Sequence, residues 1–75
     1  MVIVYSADWC AFCRTAKDYF TKIGVEFEER NVEKGQKFMQ ESVQKSGQMG
    51  IPVIDIDGEI IVGFDKPKID SILAK

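Results

Sequence analysis

The segment GIPVIDIDGEIIVG, residues 50–63, leaves the chain little conformational choice. Val53–Ile56 and Glu59–Val62 are short β-branched runs. Asp57 and Gly58 between them supply the positive φ that a two-residue hairpin turn needs. Upstream, Met1–Tyr5 is a continuous apolar run, short and rich in branched side chains, which suits a buried central strand. From Ala11 to Ile23 the period becomes helical: Phe12, Ala16, Tyr19, Phe20 and Ile23 form an apolar stripe, with Arg14, Lys17, Asp18 and Lys22 opposite. Gly24 caps that helix. Val25–Val32 opens with alternating Val25 and Phe27 and reads as a strand, its run Glu26, Glu28, Glu29 as a solvated edge. A helix from Glu33 to Ser46 follows, burying Phe38, Met39 and Val43 and stopping at Gly47. A last helix starts at Asp65, a suitable N-cap, with Pro67 in its first turn and Ile69, Ile72 and Leu73 on one face. The order β-α-β-α-β-β-α predicts one α/β domain over residues 1–75. In it a right-handed βαβ unit and a hairpin share a four-stranded mixed sheet flanked by helices.

Seventy-five residues, 45% of them hydrophobic, allow a single small core and no separate substrate domain. The net charge of −2 and the lack of a basic run interleaved with aromatics leave no nucleic-acid footprint. MVIVY has neither a charged leader nor a long apolar stretch, so no signal peptide or membrane span is expected. A cytoplasmic location is the expectation.

The two cysteines, Cys10 and Cys13, are separated by two residues, and the chain has no histidine. Three uses compete: a metal half-site, a structural disulfide and a redox couple. A structural zinc site wants four Cys or His ligands and the chain supplies two, so no metal is expected. A bridge over so short a loop constrains the unfolded chain weakly, and cytoplasmic disulfides are mostly catalytic. The predicted positions favour the redox couple. Cys10 falls at the start of the first helix, where unpaired N–H groups favour a thiolate. Cys13 lies in line with Ala16 and Phe20 and should point inward. Cys10 is therefore expected exposed and reactive, and Cys13 sheltered. Such inequality serves disulfide exchange, in which one thiolate attacks and the second resolves the mixed disulfide. Arg14 and Lys17 read as solvated helix-face residues.

Taken together, CAFC after the first strand, GIP before the hairpin and GFD at the last helix resemble the thioredoxin-like superfamily, within it the short glutaredoxin-like redoxins. The resemblance covers nearly the whole chain. It implies a reversible Cys10–Cys13 disulfide, with Cys10 as nucleophile and Cys13 as resolver. It further implies a cis Pro52 beside the thiols and an Ile51 backbone that pairs with substrate like an added strand. By the same resemblance Trp9, Phe12, Gly63, Phe64 and Asp65 become substrate-binding candidates. Plainer readings stand beside these roles: Trp9 as a lid on its loop, Phe12 as core, Phe64 packed under the last helix, and Gly58 and Gly63 as backbone requirements. Met39 and Met49 need no redox role.

Departures from the family pattern refine the expectation. Ala11 and Phe12 replace the usual Pro-Tyr between the cysteines. Val62-Gly63 and Asp65-Lys66, with Phe64 between, stand where glutaredoxins carry Gly-Gly and an acidic residue for glutathione. ADWC instead resembles thioredoxin, whose buried acid in the preceding strand is Val4 here. The expected function is a monomeric thiol–disulfide oxidoreductase that reduces a disulfide-containing protein client, with no bound cofactor. A thiol such as glutathione or a flavoprotein reductase would re-reduce it. The alternatives are a glutathione-assisted iron–sulfur carrier, two chains sharing a cluster through Cys10, and a redox-silent binding module.

Overall fold

The computed structural model describes residues 1–74. Among them the elements run β1 (Val2–Ser6), α1 (Ala11–Lys22), β2 (Phe27–Asn31), α2 (Gln36–Ser46), β3 (Val53–Ile56), β4 (Glu59–Val62) and α3 (Lys66–Leu73). The strands form one mixed sheet in the order β2-β1-β3-β4. β1 pairs in parallel with β2 and antiparallel with β3, and β3 pairs antiparallel with β4. This is the predicted architecture.

Alternation along β1 loads both faces of the sheet. Val2 and Val4 join Ile54, Ile56 and Ile61 on one face, under Ala16 and Phe20 of α1 and Ile69 of α3. Ile3, Tyr5 and Val53 turn to the other face, against Phe38 and Met39 of α2. A strand buried on both sides reads as a continuous apolar run, which is what MVIVY is. The hairpin turn has Asp57 at φ 50° and Gly58 at φ 92°, the left-handed pair its sequence requires. Asp55 Oδ1 accepts the Gly58 N–H at 2.8 Å and so pins the turn.

Several boundaries and faces differ from the sequence reading. β2 is shorter than Val25–Val32, and α2 begins at Gln36 rather than Glu33. Asn31 is the cause: its Oδ1 accepts the Glu33 N–H at 2.9 Å, and its carbonyl accepts the Lys34 N–H at 3.1 Å. That turn holds 32–34 out of helix, and α2 starts after Gly35. Ile23 lies beyond the last helical residue and is 43% exposed, outside the stripe it was assigned to. α2 rests Phe38, Met39 and Val43 half-buried and buries Ser42 completely instead. Among the acidic residues of β2, Glu29 is not simply solvated. It accepts from Ser6 Oγ at 2.6 Å and pairs with Lys17 at 2.5 Å.

Phe20 is completely buried at the centre of the α1–α3 core, in tilted contact with Phe27 at 5.9 Å between ring centroids. Phe20→Ala leaves a ring-sized void and is expected to cost about 3–5 kcal/mol, a large share of the stability of so small a domain. Urea unfolding followed by circular dichroism checks this. A loss below about 1 kcal/mol would mean that the core closes over the void.

Candidate active site

The chain leaves β1 through Ala7, turns at Asp8 and Trp9, and enters α1 at Cys10. The Cys10 N–H donates to the Ala7 carbonyl at 3.1 Å, which folds the turn back on the end of the strand. Asn31 at the end of β2 steadies the same loop through Nδ2 to Asp8 Oδ1, 2.9 Å. Cys10 is the N-cap of α1, and its Sγ accepts the Cys13 N–H at 3.2 Å. A helix N-terminus leaves such donors free, and a sulfur carrying negative charge gains from one.

Both cysteines are free thiols. Cys10 was expected to be exposed, yet it is only 7% accessible. The Ala7–Cys10 turn lays its side chain into the cluster of Tyr5, Ala7, Cys13 and Val53, and the neighbours Trp9 and Phe12 take the outward positions instead. Those two rings are 70% and 68% exposed. Cys13 is completely buried, as its line with Ala16 and Phe20 suggested. Burial, reinforced by the adjacent Cys10 sulfur, pushes its thiol from 9.0 up to about 12. Cys13 therefore holds its proton at neutral pH.

Ile51 packs against the cysteine cluster. The Ile51–Pro52 bond is cis, as the resemblance implied. Among the described residues no hydrogen bond engages the Ile51 backbone. Phe12, Ile51 and Pro52 form one wall of a groove of about 540 Å³, and residues 62–67 form the other. The Gly63 N–H donates to the Pro52 carbonyl at 2.8 Å and ties the two walls together. Gly63 does this at φ 79°, a conformation that side chains resist. Asp65 caps α3, its Oδ1 accepting the Lys68 N–H at 3.3 Å.

The structure thus gathers Phe12, Ile51, Pro52, Gly63, Phe64 and Asp65 around one groove and leaves Trp9 outside its lining. Phe64 both lines the groove and packs on the core, its ring edge-on to Tyr19 at 5.7 Å. Val62, Lys66 and Pro67 complete the wall. Val62 was legible as the outward residue of an edge strand, being 50% exposed. Tyr19 and Asp70 hold that wall from behind, and of the two only Asp70 carried a signal, in the Lys66–Asp70 spacing of four.

A thiol that titrates near 12 when folded and near 9 when unfolded stabilises the fold fully below pH 9. That contribution is lost as pH rises from 9 towards 12, because the unfolded chain releases its proton first. Reduced wild type should therefore weaken relative to Cys13→Ala across this window. Urea midpoints of the two proteins at successive pH values check it, and parallel profiles would show that Cys13 titrates normally.

Comparison with known proteins agrees with this geometry. The family described as Glutaredoxin matches residues 2–61. A glutaredoxin-like 8.6 kDa protein in a rubredoxin operon of Clostridium pasteurianum is 40% identical over 75 residues, covering 100% of both chains. Glutaredoxin 3 of Escherichia coli K12 is 31% identical over 64 residues, 85% of this chain and 77% of that protein. The crystal structure of a glutaredoxin from Methanosarcina mazei superposes with a TM-score of 0.85 at 28% identity, over 99% of this chain and 78% of the other. The protein belongs to the glutaredoxin family and is a redoxin of the thiol–disulfide oxidoreductase type.

Proposed function

We propose that this redoxin reduces protein disulfides by cycling Cys10 and Cys13 between dithiol and disulfide. The inequality of the two sulfurs carries the reading. Cys10 Sγ sits at a helix start and receives the Cys13 N–H at 3.2 Å, while Cys13 is sealed and protonated. Only a thiolate attacks a disulfide, so the first step falls to Cys10. Its Sγ bonds to one client sulfur, the client S–S bond breaks, and the other client sulfur leaves and takes up a proton. Cys13 then gives up its proton and attacks Cys10 Sγ. The mixed disulfide breaks, the second client thiol departs, and the Cys10–Cys13 bond retains the oxidation. Two electrons have passed from the dithiol to the client.

The groove supports a polypeptide substrate. Phe12, Ile51, Pro52, Val62 and Phe64 offer an apolar lining, and the Ile51 N–H and C=O, without a hydrogen bond among the described residues, would extend a substrate strand. Trp9 adds an exposed ring beside Cys10. Glutaredoxins use glutathione as a substrate. Here it serves as a reductant taken up weakly, because Phe64 and Lys66 occupy the wall that would meet its charged ends. A reductase or a small thiol restores the dithiol, and the cytoplasm, where thiols stay reduced, is the compartment this chemistry suits.

Cys13→Ser should accumulate one client molecule per chain as a mixed disulfide, since nothing resolves it. Cys10→Ser should trap none and lose turnover. Intact-mass spectrometry after mixing each reduced variant with a disulfide-bearing protein reads both results. Dithiol-dependent turnover surviving in both variants would rule out the two-thiol cycle.

A further inference from the structure

Two charged side chains line the groove, Asp65 and Lys66, and neither faces a substrate freely. Asp65 is spent on capping α3. Lys66 is drawn back along its own helix, its Nζ 2.7 Å from Asp70 Oδ2. The ammonium also lies 5.2 Å from the centre of the Tyr19 ring, where a cation is attracted by the π face. The other Asp70 oxygen, Oδ1, accepts the Tyr19 hydroxyl. One carboxylate therefore joins α1, the helix that carries the cysteines, to the cation of the groove wall. Tyr19 in turn packs edge-on against Phe64 of that wall.

We infer that Asp70, which is not part of the groove lining, is a specificity-determining residue. By holding Lys66 over Tyr19 it keeps the cation of the groove wall from acting on substrates. The inference rests on the groove being the substrate site, as proposed above. A substrate that brings a carboxylate to the wall meets a cation already paired, and gains little. A neutral apolar segment loses nothing. Freed from Asp70, the same ammonium would attract acidic groups flanking the reacting disulfide. The scale is that of an exposed ion pair, about 2- to 5-fold in rate, and it is sensitive to salt.

Single-turnover reduction tests this without any external reductant, the Cys10–Cys13 pair supplying both electrons. The substrates are symmetric disulfides of capped tripeptides with Glu, Gln or Leu on both sides of the cysteine. Asp70→Asn keeps an acceptor for Tyr19 while removing the charge. It should raise the rate for the Glu peptide about 2- to 5-fold relative to Gln, and leave the ratio of Leu to Gln unchanged. The gain should vanish at high salt and in the D70N/K66Q double variant. An unchanged Glu-to-Gln ratio in Asp70→Asn, with wild type turning over all three peptides, overturns the inference and leaves the proposed function standing. An equal change for all three peptides also overturns it, and assigns Asp70 a purely structural role. Failure of the wild type to oxidise its dithiol with any of the peptides overturns both readings.

Discussion

The double-sided pairing of β1 is the constraint on which the rest of the structure depends. All five of its residues are buried, and its backbone is paired on both edges, to β2 and to β3. With the main chain satisfied, only side-chain alternation distinguishes the two faces. A slip of one residue would send Val2 and Val4 to the α2 side and Ile3 and Tyr5 to the α1 side. Tyr5 makes such a slip especially costly. Its hydroxyl donates to Glu41 at 2.9 Å, and Arg30 and Lys45 approach its ring at 6.0 and 5.1 Å. On the other face that hydroxyl would have no such partners. The register also fixes where the strand ends. The Val32 N–H donates to the Ser6 carbonyl at 2.8 Å, and the Ala7–Cys10 turn follows at once.

Charge in this small domain is concentrated where it secures geometry. Asp55 is 8% exposed on β3, a costly place for a carboxylate. Burial alone would raise its titration. The Lys45 ammonium at 2.8 Å and the Gly58 N–H outweigh that, and the group lies below its ordinary value. The same carboxylate holds the hairpin turn. On the α1 side, Glu29 is likewise held low, first by Lys17 and then by the Ser6 hydroxyl. Neither carboxylate lines the groove. These two anchors of the sheet are therefore distinct from the groove.

What the sequence revealed follows from the range of the interactions involved. The hairpin, the caps at Gly24 and Asp65 and the strand β1 are settled within a few residues, by turn chemistry and period, and all were legible. The start of α2 was not, because a side chain at the end of a strand, Asn31, captures the backbone that would have begun the helix. Ile23 fitted the helical stripe and still faces solvent, since the helix ends before it. At the site, the inward turn of Cys13 could be read from its alignment with Ala16 and Phe20. The burial of Cys10 could not. It arises from the Ala7 carbonyl and the packing of Val53, one a loop contact and the other a partner more than 40 residues away. The tie between Tyr19 and Asp70 spans 51 positions and was equally out of reach.

That Cys10 is buried changes how its reactivity should be understood. α1 straddles the end of the sheet. Its first turn places Cys13 in the cluster with Tyr5 and Val53, whereas Ala16 and Phe20, only a turn or two later, belong to the opposite core. Both sulfurs therefore act as small apolar packing groups, beside the redox role proposed for them. On the proposed cycle, a client sulfur would approach Cys10 through the little surface it leaves open. Surrounding that opening are rings and aliphatic groups that a bound polypeptide can cover, Trp9 and Phe12 among them. Contact with such a client would exclude water from the two sulfurs. The Cys13 N–H remains directed at Cys10 Sγ inside that enclosure, where a hydrogen bond is electrostatically stronger than in water. On the proposed reading, selectivity and reactivity would share one origin: the burial that narrows access to Cys10 also encloses the donor directed at its sulfur.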